Sequence, residues 1–389
     1  MKVTRVEVTP ITVPYKIPLR HAWGGRTAGN YVVVKIETDE GIAGVASGAV
    51  LAPSHSGESI DSAVANIAMF APQALLGRDP FQIEAIMADI DKLLYANWLT
   101  KAPIDFALYD IKGKALNVPV YELLGGLFRE KALIEFIVSL DEPTAMAEMA
   151  KRYMDAGFAG VKIKAGGDPK LDIERFKKVR EAVGPDTRIS VDMNEIYTRA
   201  IVALPVIEAM IDMGVVYIEQ PVPRHNVAGI KFLKDRMTVP MCVDEGGWSV
   251  REAQALIDAR AADIFHTVPS RIGGFTKAIR YRSIVESAGL DMCVSAYNGT
   301  GIEHAASCHL IFSTNLTDAI PEQPVGILYL YGGFSSDDVK GDIIRKTSGR
   351  IKDGYLYKPE GPGLGVELDQ EMVNNYLSPG RKPLVLELK

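Results

Sequence analysis

The sequence predicts an α/β protein, a parallel (β/α)8 barrel preceded by an α+β domain. Three observations carry this prediction. From about residue 133 onward, short apolar runs alternate eight times with segments of helical spacing, the pattern of parallel strands joined by crossover helices. Ahead of them, residues 1 to about 50 read as strands and residues 58 to 125 as helices. A chain of 389 residues, 47% hydrophobic and 24% charged, is also long enough and apolar enough for two cores.

The elements follow in order. "TRVEVTPITVPY" alternates as a strand, "KIPLRHAWGGRTAGN" is broken by glycines into an expected loop, and "YVVVKIETDEGIAGVAS" reads as a strand, a turn at "DEG" and a return strand. "ESIDSAVANIAMFAPQALL", "PFQIEAIMADIDKLLY" and "APIDFALYDIKGKAL" have helical spacing. "LIEFIVSL" starts the barrel, and the helix "EPTAMAEMAKRYMDAG" after it ends in glycine. "GVKIKAG", "RISVDMN", "VVYIEQPVP", "VPMCVDEG", "DIFHTVPS" and "DMCVSAYN" are strands two to seven, each followed by a helix, and "DAIPEQP" is the candidate for the eighth. Beyond 330 the chain is Gly-rich and irregular, and "KPEGPGLGVELDQEMVNNYL" reads as a strap returning to the first domain. The expected units are 1–130, the α+β domain, 131–330, the barrel, and 331–389, the strap.

Composition excludes several classes. A net charge of −6 leaves no basic footprint for nucleic acid. Cys242, Cys293 and Cys308 are too few and too far apart for a disulfide framework or a thiolate metal site. "MKVTRVEVTP" lacks the apolar core of a signal peptide, and no apolar run approaches the roughly 18 residues of a membrane span. A cytoplasmic homo-oligomer without membrane or nucleic-acid partners is expected.

The chemistry starts from "GVKIKAGG", residues 160 to 167. Val161 and Ile163 share one face of this strand and Lys162 and Lys164 the other. Two like charges facing a packed core would each cost several kcal/mol, so an anion is expected opposite them. Lys164, Asp192, Glu219 and Asp244 end strands two to five, spaced 28, 27 and 25 residues apart, about one βα unit each. They therefore converge at the C-terminal mouth of the barrel. Three carboxylates meeting there resist ionisation unless a cation sits among them, and an oxygen-only set suits Mg²⁺.

"KIK", "VDMN", "YIEQP", "CVDE" after "VP", "RIGGFTKA" and the closing "GPGLG" together resemble the enolase superfamily, in its mandelate racemase and muconate lactonizing enzyme branch. The resemblance spans nearly the whole chain. It implies a TIM barrel modified in its strand order, a capping domain whose loops close over the site, and an essential Mg²⁺. That ion holds a substrate carboxylate while a base removes the α-proton, leaving an enediolate. Asp192, Glu219 and Asp244 match the metal ligands, and Asn194 should lie near the metal. Glu245 competes with Asp244, but adjacent strand residues point opposite ways. Lys164 matches the base, and Lys162, deeper on the same face, is expected to depress its pKa and anchor substrate anion.

The sequence departs from these relatives at the second acid/base group. Five residues after Asp263, where a second lysine or an Asp is expected, stands Val268, and strand seven offers Tyr297 in place of His. His266 and Tyr297 are the possible substitutes, with a buried structural histidine and a substrate hydrogen bond as their alternative roles. Glu322 on strand eight could donate a hydrogen bond to the intermediate. Arg20, His21, Trp23 and His55 fall in the two loops that usually form the lid and are candidates for substrate binding, whereas Ser270 with Arg271 and the Gly273–Gly274 pair read as structural. One clear base on one face favours dehydration of a small carboxylate, a hydroxy acid or sugar acid. The alternatives are a racemase, epimerase or cycloisomerase, or, in a different class, a catalytically silent carboxylate-binding protein.

Overall fold

The alternating N-terminal sequence forms two long antiparallel strands, β1 (Val3–His21) and β2 (Gly24–Thr38), followed by β3 (Ala43–Ala49). The computed structural model describes residues 1–21, 24–50, 53–315 and 320–389; Trp23 and the start of the eighth-strand candidate lie outside them. Gly41, at φ 77°, makes the turn between β2 and β3. Where a loop was expected over residues 16–30, the described residues 16–21 and 24–30 belong instead to the two strands. Past an irregularity between Pro14 and Leu19, the β1–β2 register resumes at Leu19↔Arg26, Arg20↔Gly25 and His21↔Gly24. Glycine weakens a strand, but a partner supplying the ladder overrides that local preference.

Helices Ile60–Ala74, Ile83–Leu93 and Trp98–Leu116 complete the capping domain. Ser59 and Ser62 form a reciprocal capping box at the start of the first. The third is buried on nearly every side. Its Asp105 accepts hydrogen bonds from the amides of Phe275 and Thr276, at the N-terminus of barrel helix Phe275–Ser287, which seats the cap on the barrel.

Among the described residues, seven parallel strands form the barrel: β4 (Phe136–Val138), β5 (Gly160–Lys164), β6 (Arg188–Asp192), β7 (Ile218–Glu219), β8 (Met241–Val243), β9 (Ile264–Thr267) and β10 (Asp291–Val294). Their order is sequential, so the altered strand order implied by the resemblance is not what modifies this barrel. The modification lies at the eighth position. There, among the described residues, Glu322 and Gln323 close the ring by single parallel bridges to Ile134 and Ser295. Pro321 and Pro324 flank them and have no N–H to extend a ladder. In the C-terminal segment, Tyr355–Tyr357 pairs with Lys131–Leu133, and β11 (Leu384–Glu387) runs antiparallel along β1. No helix among the described residues is long and apolar enough to cross a membrane.

Candidate active site

Strand register brings the polar strand ends together: Lys164 lies opposite Asp192, and Asp192 opposite Glu219. The Lys164 ammonium donates to Asp192 Oδ2. Lys162 Nζ donates to both oxygens of Glu219 at 2.7 Å and to Gln323 Oε1 at 2.9 Å. Gln323 is oriented from behind, because its amide nitrogen donates to Glu135 and to the Tyr217 hydroxyl, leaving its oxygen for Lys162. Asp244 pairs with the buried Arg271 guanidinium.

These contacts set the charges. Burial opposes ionisation of Asp192, yet Lys164 and Lys162 pull its carboxyl down to about 2. Burial dominates at Glu219 and pushes it up to about 8, even with Lys162 alongside. Burial alone would lower Lys162, but Glu219 and Asp192 hold it above the ordinary lysine range. Burial opposes ionisation of Asp244, but Arg271 and His266 together hold it well below the carboxylate range. Glu245 is driven well above that range by burial and by the charge of Asp244.

Several expectations from sequence need correction. Glu245 was discounted on strand alternation, but β8 stops at Val243, and a tight turn over Glu245–Gly247 follows. Gln220 Oε1 holds that turn by accepting from the amides of Asp244 and Gly246. Glu245 is therefore buried beside Asp244, and its Oε1 accepts from Asn194 Nδ2 at 3.0 Å. The Gly-Gly after it was the available signal that the strand pattern had ended. Lys162 is committed to Glu219 and Gln323, so it steadies a carboxylate rather than standing free for a substrate anion. Glu322 does not line the cavity; its Oε2 accepts from Val294 N at 2.7 Å and helps close the barrel. Arg20 points to solvent and pairs with Asp141 at 2.8 Å. Arg271, assigned to structure from sequence, lies within the site, and no local pattern marks its partnership with Asp244.

His266 is buried among the carboxylates, its Nδ1 3.5 Å from both Glu219 Oε1 and Asp244 Oδ1. Burial, reinforced by Lys162, lowers it to about 4, so it is neutral near pH 7. Both of its ring nitrogens and Glu245 Oε2 are buried without a hydrogen-bond partner. One ring nitrogen of the neutral imidazole, Glu245 Oε2 and the adjoining carboxylate oxygens form a concentration of buried acceptors that fits a divalent cation. Among the described residues, the ligand atoms that lie within 4.8 Å of one another belong to Glu219, Asp244 and His266. Asp192, turned to Lys164, borders this group through its register with Glu219. Asn194, in the left-handed region at φ 41°, ties Asp192 to Glu245.

The strand ends open into a cavity of about 410 Å³, a volume suited to a small organic molecule. Its barrel wall includes Lys164, Asp192, Asp244, His266, Val268 and Tyr297. The capping domain contributes His21, Arg26, Tyr31 and His55. Burial lowers His21 to about 4 and His55 to about 3, with Lys164 and Arg271 respectively adding to the effect. The buried Tyr297 hydroxyl has no hydrogen-bond partner, and the Arg271 guanidinium lies 5.1 Å from its ring centre.

Comparison with known proteins places this geometry among relatives. The family model described as mandelate racemase / muconate lactonizing enzyme, N-terminal domain, matches residues 3–125, and the one described as enolase C-terminal domain-like matches residues 145–372. The N-succinyl-L-Arg/Lys racemase of Bacillus cereus is 30% identical over 372 residues, 95% of this chain and 96% of that protein. Its crystal structure superposes with a TM-score of 0.92 at 28% identity, covering 100% of both chains. A chloromuconate cycloisomerase of Delftia acidovorans is 29% identical over 385 residues, 97% of this chain and 99% of that one. The dipeptide epimerase of Enterococcus faecalis V583, crystallised with Mg and the dipeptide L-Leu-L-Tyr, has a TM-score of 0.85 at 28% identity, covering 94% of this chain and 100% of that one. These three relatives are isomerases by name, which backs the racemase, epimerase or cycloisomerase alternative over the dehydration favoured from sequence.

Proposed function

The chain belongs to the mandelate racemase / muconate lactonizing enzyme family of the enolase superfamily, and on that premise we propose that it is a Mg²⁺-dependent racemase or epimerase acting at the carbon beside a carboxylate. The observation that carries this reading is Lys164, whose amine stands on the cavity wall, its side chain 12% exposed, beside buried carboxylates. A divalent cation held by Asp192, Glu219 and Asp244 would bind the substrate carboxylate and offset the charge that builds on it as the α-proton leaves. Lys164, as the free amine, takes that proton at Nζ. Lys162, bound to Glu219 and Gln323, keeps the neighbouring carboxylate in place. Tyr297 supplies the proton to the other face. Burial raises its phenol well above the ordinary value, so it is protonated at neutral pH, and Arg271 tempers the cost of its anionic form. His21, His55 and Arg26 face the remainder of the substrate from the cap.

The cycloisomerase relative supports one further reading, in which a carboxylate of the substrate adds to its conjugated double bond and Lys164 alone delivers a proton to the enediolate carbon so formed, with Val268 offering no second base. A panel of N-succinyl amino acids, dipeptides, muconates and sugar acids incubated with Mg²⁺ in D₂O distinguishes the two. Deuterium entering at the α-carbon with inversion is the expected outcome. Lactone formation from a muconate would establish the cycloisomerase, and loss of water would restore dehydration. Saturable binding of a carboxylate with no deuterium entering any compound would leave a silent binding protein.

A further inference from the structure

A second cavity, of about 620 Å³, lies in the C-terminal segment and shares no lining residue with the barrel-mouth cavity. Five cations line it, Arg345, Lys346, Arg350, Lys352 and Lys358, against two carboxylates, Asp337 and Glu360. Three of the five are already engaged: Arg350 with Asp337 at 2.7 Å, Lys358 with Glu130 at 2.7 Å, and Arg345 more loosely with Glu367 at 3.6 Å and Asp369 at 3.5 Å. Lys346 and Lys352 form no ion pair with any described residue. Ser348, on the same loop, is 2% exposed, and its hydroxyl is buried without a hydrogen-bond partner. The loop is not free to collapse over these charges. The Thr347 hydroxyl donates to Ser336 O at 2.9 Å, His304 Nε2 meets Gly349 O at 2.6 Å, and Ser336 Oγ accepts from Ile351 N at 2.7 Å, so the loop is tied on both sides of Ser348.

We propose that this pocket binds a small multivalent phosphate, held by Lys346, Lys352 and the Arg345 guanidinium, with the Ser348 hydroxyl donating from the floor. Two ammonium groups lining one concavity suit an anion carrying more than one charge. A guanidinium fork and a hydroxyl match tetrahedral oxygens better than a single planar carboxylate. Nothing in this arrangement depends on the reaction at the barrel mouth.

Pyrophosphate is the probe, titrated calorimetrically into the full-length protein with succinate as the carboxylate comparison. Saturable pyrophosphate binding is expected, with succinate weaker. Lys346→Ala/Lys352→Ala should lower the pyrophosphate affinity by about tenfold or more. Lys151→Ala/Lys178→Ala, which removes the same charge from exposed helical positions, should leave it unchanged. Ser348→Ala should bind more weakly than the parent while keeping its succinate affinity. No saturable binding by the parent would overturn the proposal, as would equal losses in the two double variants or succinate binding as tightly as pyrophosphate.

Discussion

Asp105, Asp110 and Asp342, at the seams joining cap, barrel and C-terminal segment, are as buried as Asp192, Glu219 and Asp244 at the barrel mouth, yet their oxygens are used differently. Asp105 accepts from the amides of Phe275 and Thr276, Asp110 from those of Val45 and Leu364 beside an ion pair with Lys114, and Asp342 from those of Gly301 and Ile343 beside the Tyr331 hydroxyl. At the mouth the main partners are side-chain cations, Lys164, Lys162 and Arg271, with the Asn194 amide on Asp192 as a backbone contribution. Backbone donors belong to the fold and cannot leave without unfolding it. A side-chain ammonium such as that of Lys164 can move off a carboxylate without the backbone moving. Carboxylates at the same burial are thus held mainly by backbone donors in one region and by side-chain cations in the other.

The largest test of this contrast is chemical. Lys164→Ala should reduce α-deuterium incorporation into a responsive carboxylate by about 10²–10⁴-fold, the usual span for a general base, while keeping the rise in melting temperature caused by Mg²⁺. Near-parental exchange would place the base elsewhere, with Tyr297 the next group to substitute.

On the seam side, Asp110→Ala leaves the amides of Val45 and Leu364 unpaired and should cost roughly 2–4 kcal/mol in denaturant unfolding. Its Mg²⁺ response should match the parent's. A variant as stable as the parent would show that the backbone contacts are not what makes this carboxylate structural.

Mg²⁺ at about one hundred times its dissociation constant should stabilise the parent by ~2.7 kcal/mol. Asp192→Asn and Glu219→Gln should each lose most of that gain, read as the difference in melting temperature with and without the ion. Equal gains in parent and variants would remove these residues from the metal site.

The smallest effect is a difference in pH dependence. Burial raises Asp105 from 3.8 to about 7, although the Thr276 and Phe275 contacts pull it down. The folded state then holds its proton more tightly than the unfolded chain. Its favourable contribution is present below pH 3.8 and is lost as pH rises through 7. Asp192, lowered to about 2, has the opposite sign: its contribution is present above 3.8 and lost as pH falls toward 2. Asp105→Asn should therefore flatten the fall in stability between pH 4 and 7 by about 1–2 kcal/mol, measured by denaturant titration across that range. An unchanged slope would mean that the seam carboxylate does not titrate there.

The barrel was legible because its signals are local and repeated. Each strand of a parallel sheet is a short apolar run, each is followed by a helical period, and a carboxylate after such a run sits at the mouth. Lys162, Lys164, Asp192, Glu219 and Asp244 were placed near one another this way, and the resemblance carried by "KIK" and "YIEQP" implied the roles proposed for them. The cap was less legible near residues 16–30, where glycines argue for a loop and only pairing with a second strand decides otherwise.

What the sequence by itself determined is the phase of each strand, because alternation with period two sets which residues share a face wherever the strand continues. Only the tertiary structure decided where each strand stops and what meets it there. Val243 ends β8, so Glu245 turns inward beside Asp244. Two prolines reduce the eighth strand to single bridges, so Gln323 reaches Lys162 while Glu322 closes the ring. Arg271 finds Asp244, and Lys162 finds Glu219, through contacts between residues 27 and 57 positions apart. Strand ends and long-range pairs depend on the competition of every nearby donor for each buried acceptor, and that competition exists only once the chain has folded.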